Sequence, residues 1–181
     1  MRIRPYIENK DYEHLAQWID DERIHALWCA NRIPYPITRD NFRALLEKNA
    51  MEWTDSAYVA TDDSGRALGF FCYSVNTEEN TGFLKFIITD KRERGKGYGK
   101  KMLWLALKYA FEITNVELVQ LNVFAGNERA RHCYEQVGFV ERSVAADAFS
   151  YRDELWSRCN MVVSRKEGEA VRFFCVIFFG I

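Results

Sequence analysis

The sequence predicts a single α/β (α+β) domain of about seven strands flanked by about four helices, and three observations carry that prediction. A chain of 181 residues, 48% hydrophobic and 28% charged, suits one compact unit with a sizeable core. Short aromatic and β-branched runs alternate with segments whose apolar residues recur at helical spacing. Only 10 glycines and 3 prolines, with 15% aromatics, exclude collagen-like, low-complexity and disordered classes.

Each element follows from local chemistry. Residues 3–6 read as a short strand, and Asp11 as the cap of a helix carrying Leu15, Trp18 and Ile19 on one face. Residues 23–30 continue helical. Pro34 and Pro36 interrupt regular structure, after which Thr38 caps a helix running to Lys48. Residues 56–61 and 67–73 flank Asp62-Asp63-Ser64-Gly65, the composition of a hairpin turn. A second turn at residues 76–80 leads into a strand over 82–89. From near Gly97, the residues Leu103, Ala106, Leu107, Ala110 and Ile113 share one helical face. Residues 116–124 suit a buried strand, Asn127 caps a further helix, and Gly138 ends it in a left-handed conformation. Strands over 139–144 and 155–163 complete the pattern around a loop at 145–153. Residues 1–166 are read as the folded domain and 167–181 as a tail, apolar from Val171, far short of the roughly 20 residues of a membrane span. An extra strand, a homodimer contact and an exposed artefact are its open alternatives.

The net charge of -1 supplies no global field for nucleic acid or an acidic membrane, so neither is an expected partner. Five widely spaced cysteines without a Cys-x-x-Cys fit neither a disulfide framework nor a zinc knuckle. His14, His25 and His132 lack metal-ligand spacing, so no metal is expected. The opening Met1-Arg2-Ile3-Arg4-Pro5-Tyr6 has no apolar signal region, and a cytoplasmic location is the expectation.

Charge asymmetry is concentrated in Lys91-Arg92-Glu93-Arg94-Gly95-Lys96-Gly97-Tyr98-Gly99-Lys100-Lys101. It holds six basic residues and one acid, a local +5, so the remaining 170 residues carry -6. A basic glycine-rich turn between a strand and a helix suits a phosphate or pyrophosphate: backbone N–H groups converge and the helix N-terminus adds positive potential. A solvated basic loop is the competing reading. A P-loop fails because Lys101 follows Gly99-Lys100 where Ser or Thr is needed. A dinucleotide fingerprint fails because Met102 stands at its third glycine position.

The run Arg94-Gly95-Lys96-Gly97-Tyr98-Gly99, directly after Phe86-Ile87-Ile88-Thr89, resembles the Arg/Gln-x-x-Gly-x-Gly/Ala acetyl-CoA signature of the GNAT acetyltransferase superfamily. The block Asn127-Glu128-Arg129-Ala130-Arg131-His132-Cys133-Tyr134, closing on Gly138-Phe139, is similar to that superfamily's second motif. The likeness covers residues 3–165 and looks like the branch of ribosomal-protein N-terminal and polyamine acetyltransferases. It implies a central mixed, mostly antiparallel twisted sheet, acetyl-CoA as co-substrate, and transfer to a primary amine on a small molecule, a polyamine or a peptide N-terminus. It also implies that Ile87, Ile88 and Thr89 splay from the neighbouring strand to pair with the pantetheine arm. Arg94, Gly95, Lys96, Gly97, Tyr98, Gly99 and Lys100 would hold the pyrophosphate, Asn127 would touch the arm, and Tyr134 would face the sulfur. Independently, Asn127 and Tyr134 lie seven residues apart and so return to nearly the same helix face.

The implied reaction is direct attack of the amine on the thioester, with a strand N–H near Ile88 holding the oxyanion and Tyr134 protonating the departing thiolate. Many relatives carry Glu on the strand before the glycine loop, whereas this chain has Lys85 there. Glu78, Glu79 and Glu154, acting through water, are the candidate bases, each also readable as a solvated charge. A non-catalytic acyl-CoA-binding or sensing module is the alternative that the missing acid allows. Trp28, Tyr35, Phe149 and Tyr151 are candidate walls of an acceptor pocket, and Asp20-Asp21-Glu22 a candidate lure for a cationic amine.

Overall fold

A computed structural model describes residues 1–166; the apolar tail lies outside the described residues. The chain opens with β1 (Arg2–Pro5), followed by three helices, α1 (Glu8–Trp18), α2 (Glu22–Cys29) and α3 (Arg39–Trp53). The meander β2 (Ser56–Thr61), β3 (Ala67–Asn76) and β4 (Thr81–Thr89) comes next. Helix α4 (Tyr98–Lys108), β5 (Leu118–Phe124), α5 (Glu128–Glu135), β6 (Val140–Tyr151) and β7 (Glu154–Ser164) complete the domain. The seven described strands form one sheet in the order β1-β2-β3-β4-β5-β7-β6, with β4 and β5 the parallel pair in an otherwise antiparallel sheet. This is the mixed α/β architecture expected, with five α-helices rather than about four.

The middle of the sheet is buried from both sides, and two core clusters show why. On one face Leu103, Ala106 and Leu107 of α4, with Ala110 just after it, pack with Val119, Leu121, Met161 and Phe139. On the other, Leu15, Trp18 and Ile19 meet Phe42, Phe70 and Ile88. Each large apolar side chain among them contributes about 1.5–3 kcal/mol by leaving water. Strand β3, central and packed on both faces, is correspondingly apolar through most of its length.

Several sequence expectations are corrected. Asp11 is not an N-cap: α1 begins at Glu8, and Asp11 sits inside its first turns. Its carboxylate accepts the Ile7 N–H at 2.8 Å and two Arg4 bonds at 2.7 Å, so it ties β1 to the helix start. Thr38 does cap α3, in a reciprocal box with Asn41, but the helix runs on to Trp53. Ile113 leaves the buried face and is 69% exposed, because residues 109–113 form a π-turn that changes the angular step. The strand expected from Val116 begins at Leu118. The expected loop over 145–153 is mostly strand. β6 continues to Tyr151, pairs with β7, and absorbs the irregular residues in a register shift between Ala145 and Phe149.

Candidate active site

The site originates in a sheet defect. Along β4, pairing with β5 runs only from Thr81 opposite Leu118 to Leu84 opposite Leu121. Beyond that point β4 stays with β3 through Phe70 opposite Ile88 and Gly69 opposite Thr89, while β5 follows β7. A register shift between Phe70 and Cys72, with Phe86 at φ 52°, bends β4 where the two strands part. The Phe86 carbonyl is taken by the Trp28 indole N–H at 2.8 Å. The β5 side of residues 85–89 is thereby left without a strand partner, an edge of backbone donors and acceptors open to an extended ligand.

Two cavities flank this gap. The larger, of about 510 Å³, is lined by Ile87, Ile88, Thr89, Arg94, Gly95, Gly97, Tyr98, Gly99, Lys100, Asn127 and Tyr134. All the sequence-derived site residues therefore meet in one cleft except Lys96. Its ammonium turns to Glu93 at 2.8 Å, leaving it a partner of the loop's own acid instead of a wall of the cleft. Arg66 grips the same carboxylate at 2.9 Å, and these two cations hold the Glu93 carboxyl below its usual range.

The glycine turn is built for close approach. Gly95 and Gly97 have φ of 80° and 79°, and a Cβ at either would meet nothing within 4 Å. Their need for glycine is conformational, and their open sides leave the backbone reachable. Gly97 is the residue before α4, so the free N–H groups of that helix point into the turn. Arg94, Lys100 and Arg129 supply positive charge. Burial first, then the proximity of Arg129, pulls the Arg94 guanidinium below its ordinary value. Two guanidinium groups close together in a partly dry cleft are the chemistry that suits an anion.

At the N-terminus of α5, Asn127 caps the helix by accepting the Ala130 N–H at 3.3 Å, which leaves its amide N–H groups available to the cleft. Tyr134 is only 7% exposed and packs edge-on against Phe139, yet it lines the cleft. Burial pushes its phenol well above the ordinary tyrosine value. Cys133 lines the same wall, and burial likewise pushes its thiol up, opposite to what a thiolate nucleophile requires.

The expected acceptor-side residues fare unevenly. Trp28 lines both cavities. Tyr35 instead bonds the Asp20 carbonyl at 3.1 Å, and Phe149 and Tyr151 belong to an aromatic cluster with Phe124 and Trp156. The acidic run is consumed locally: Asp20 pairs with Lys91, Asp21 caps α2, and Glu22 pairs with Arg152. Glu154 is held by Arg23 and the Trp156 indole, which lower its carboxyl to about 2, and Glu78 and Glu79 sit in the β3–β4 turn. None of these three candidate bases lines either cavity. Arg129 was missed by sequence reasoning, although its place two residues after the Asn127 cap was the available signal. Among the described residues, no group of three or more His, Cys, Asp or Glu side chains could hold a metal ion.

The sequence profile of the acetyltransferase (GNAT) family matches residues 12–139, a span that holds the cleft, the glycine turn and Tyr134. The chain belongs to the GNAT family. It resembles the spermidine N(1)-acetyltransferase of Vibrio cholerae serotype O1, 25% identical over 144 residues, covering 79% of this chain and 81% of that one. The spermidine N(1)-acetyltransferase of Escherichia coli K12 is 24% identical over 139 residues, covering 77% and 72%. The fold matches a crystal structure of the Vibrio cholerae spermidine N-acetyltransferase in complex with CoA and spermine. That match has a TM-score of 0.78 at 22% identity, over 92% of this chain and 96% of that one. This GNAT protein is accordingly an acyltransferase that draws on acetyl-CoA, and the non-catalytic alternative finds no support among its relatives.

Proposed function

We propose that residues 1–166 transfer an acetyl group from acetyl-CoA to a small primary amine by direct attack in a ternary complex. The observation that carries the reading is the parting of β4 from β5 after Leu84, beside a cleft lined by both the glycine turn and Tyr134. The cleft fits the co-substrate in kind. Its basic turn suits a diphosphate, its free strand edge suits an amide-bearing arm, and Tyr134 in the same lining offers a phenol suited to the thiol end. The spermidine acetyltransferases among the relatives support an amine acceptor.

Bound acetyl-CoA supplies the activated acyl group, and a neutral amine displaces its thiol. In this reading Arg94, Gly95, Gly97, Tyr98, Gly99 and Lys100 bind the diphosphate, with Lys96 restraining the loop through Glu93. Ile87, Ile88 and Thr89 pair with the arm, Asn127 donates to it, and a backbone N–H near Ile88 steadies the developing oxyanion. Tyr134 holds the proton that the leaving sulfur takes. For an unperturbed tyrosine and thiol that transfer is uphill by about 2 kcal/mol, and the raised Tyr134 phenol makes it steeper. The same dry surroundings raise the thiol, which offsets part of the difference. With Glu78, Glu79 and Glu154 outside both cavities, the acceptor enters already neutral or loses its proton to water.

Calorimetry with CoA tests the cleft: micromolar-range binding in the wild type and at least tenfold loss in Gly97→Glu support it. No binding, or binding indifferent to that change, rejects it. A cytoplasmic setting fits the free thiols of Cys29, Cys72, Cys133 and Cys159. A homodimer is the assembly to look for by light scattering.

A further inference from the structure

The second cavity, of about 310 Å³, opens on the other side of the β4–β5 gap and shares Leu27 and Trp28 with the cofactor cleft. If the thioester lies in the first cavity, an amine reaches it through the second. Its lining holds three cationic side chains, Arg32 after α2, Lys85 on β4 and Arg158 on β7, and no Asp or Glu. Lys85 is neutralised from behind by Asp55 at 2.6 Å. Asp55 is not part of the lining, and its second oxygen is buried without a partner, out of reach of an incoming cation. Arg32 and Arg158 are exposed and make no ion pair among the described residues.

The aromatic walls reinforce the charge. Trp53 and Phe83 line the same cavity and present faces of the kind that hold ammonium groups. Both are already occupied by the chain's own Lys85, whose Nζ lies 5.8 Å and 5.2 Å from their ring centroids. A polycation entering here meets two unpaired guanidinium groups and no free carboxylate. An anion meets the reverse.

We infer that the acceptor of this enzyme is a primary amine that also carries a carboxylate, an amino-acid-like molecule whose anion is received by Arg32 and Arg158. The inference rests on the acetyl-transfer reading and narrows its acceptor. Where the acceptor is a peptide it also answers the missing base: a peptide α-amine is neutral near pH 7 far more often than a lysine-like amine, by a factor of a few hundred at model values. The cationic lining holds a bound amine further toward its neutral form.

The test is CoA thiol release measured with spermidine, glycinamide, glycine, aspartate and peptides ending in a free or amidated carboxyl. Wild type and Arg32→Glu/Arg158→Glu are compared, with the CoA Kd measured by calorimetry for both. We expect kcat/KM for the best amino-carboxylate to exceed that for spermidine by at least about tenfold, with most of the difference in KM. Charge reversal should shrink that ratio by about tenfold or more while the CoA Kd stays within about twofold. Free amino acids outperforming peptides would place the carboxylate next to the amine, and the converse would place it further along; either supports the inference. Equal or better use of spermidine, with a ratio unmoved by charge reversal, overturns the acceptor assignment and leaves acetyl transfer standing. No release from any amine overturns both.

Discussion

At the level of single residues, burial decides what each group can do. Tyr134 is buried enough that its phenol is raised, so its proton stays in place throughout the working range. The sign follows directly: a raised acid deprotonates later, so kcat/KM should climb from pH 6 with the free fraction of the acceptor amine. It should show no falling limb from Tyr134 below about pH 10. Replacing Tyr134 with Phe should lower kcat by about 10²-fold or more and leave the CoA Kd nearly unchanged, since only the proton is removed. An equal loss in both would mean that the ring serves packing alone. Asp11, 1% exposed and bonded by Arg4 and the Ile7 N–H, is a second case. Asp11→Ala strands a partly buried guanidinium and should lower stability by about 3–5 kcal/mol, read from the denaturant midpoint. Asp11 and Tyr134 were both singled out in the sequence, but a helix cap and a bonded carboxylate within the first turns look alike in one dimension.

Among the elements, the decisive event is that β4 changes allegiance half-way along. Its first four residues pair with β5, and the rest pair with β3 alone. The bend at Phe86, with its carbonyl held by Trp28, maintains the parting. Trp28→Phe keeps an aromatic ring but strands that carbonyl, and should raise the KM for both substrates while CD is unchanged and the thermal midpoint falls by only about 3–8 °C. A midpoint fall of more than about 10 °C with unchanged KM would assign Trp28 to the core instead. The turn and helix that follow were legible, because Gly95, Gly97 and the apolar face of α4 are local signals. The length of β6 was not: its residues are almost all exposed, so no apolar alternation marks residues 145–150, and only the partner strand β7 holds them extended.

Across the whole molecule, a net charge of -1 conceals a strongly positive turn. On the proposed reading, recognition of an anionic co-substrate is therefore short-ranged, through Arg94, Lys100 and Arg129 of the cleft lining. Raising salt from about 20 mM to 0.5 M should weaken CoA binding several-fold by calorimetry, while added duplex DNA should not compete. Salt-independent binding would locate CoA away from the basic turn. The mixed, mostly antiparallel sheet with helices packed on both faces agrees with the sequence reading, because hydrophobic period and turn chemistry are properties of neighbouring residues. By itself the sequence determined the class of fold, the glycine turn and the Asn127–Tyr134 pair, all written in spacings of a few residues. Only the tertiary structure decided that β4 and β5 part after Leu84 and that Arg32, Lys85 and Arg158 gather around one cavity. These depend on contacts between residues 30 to 130 positions apart, where the chain's path in space, not its local pattern, sets which charges meet.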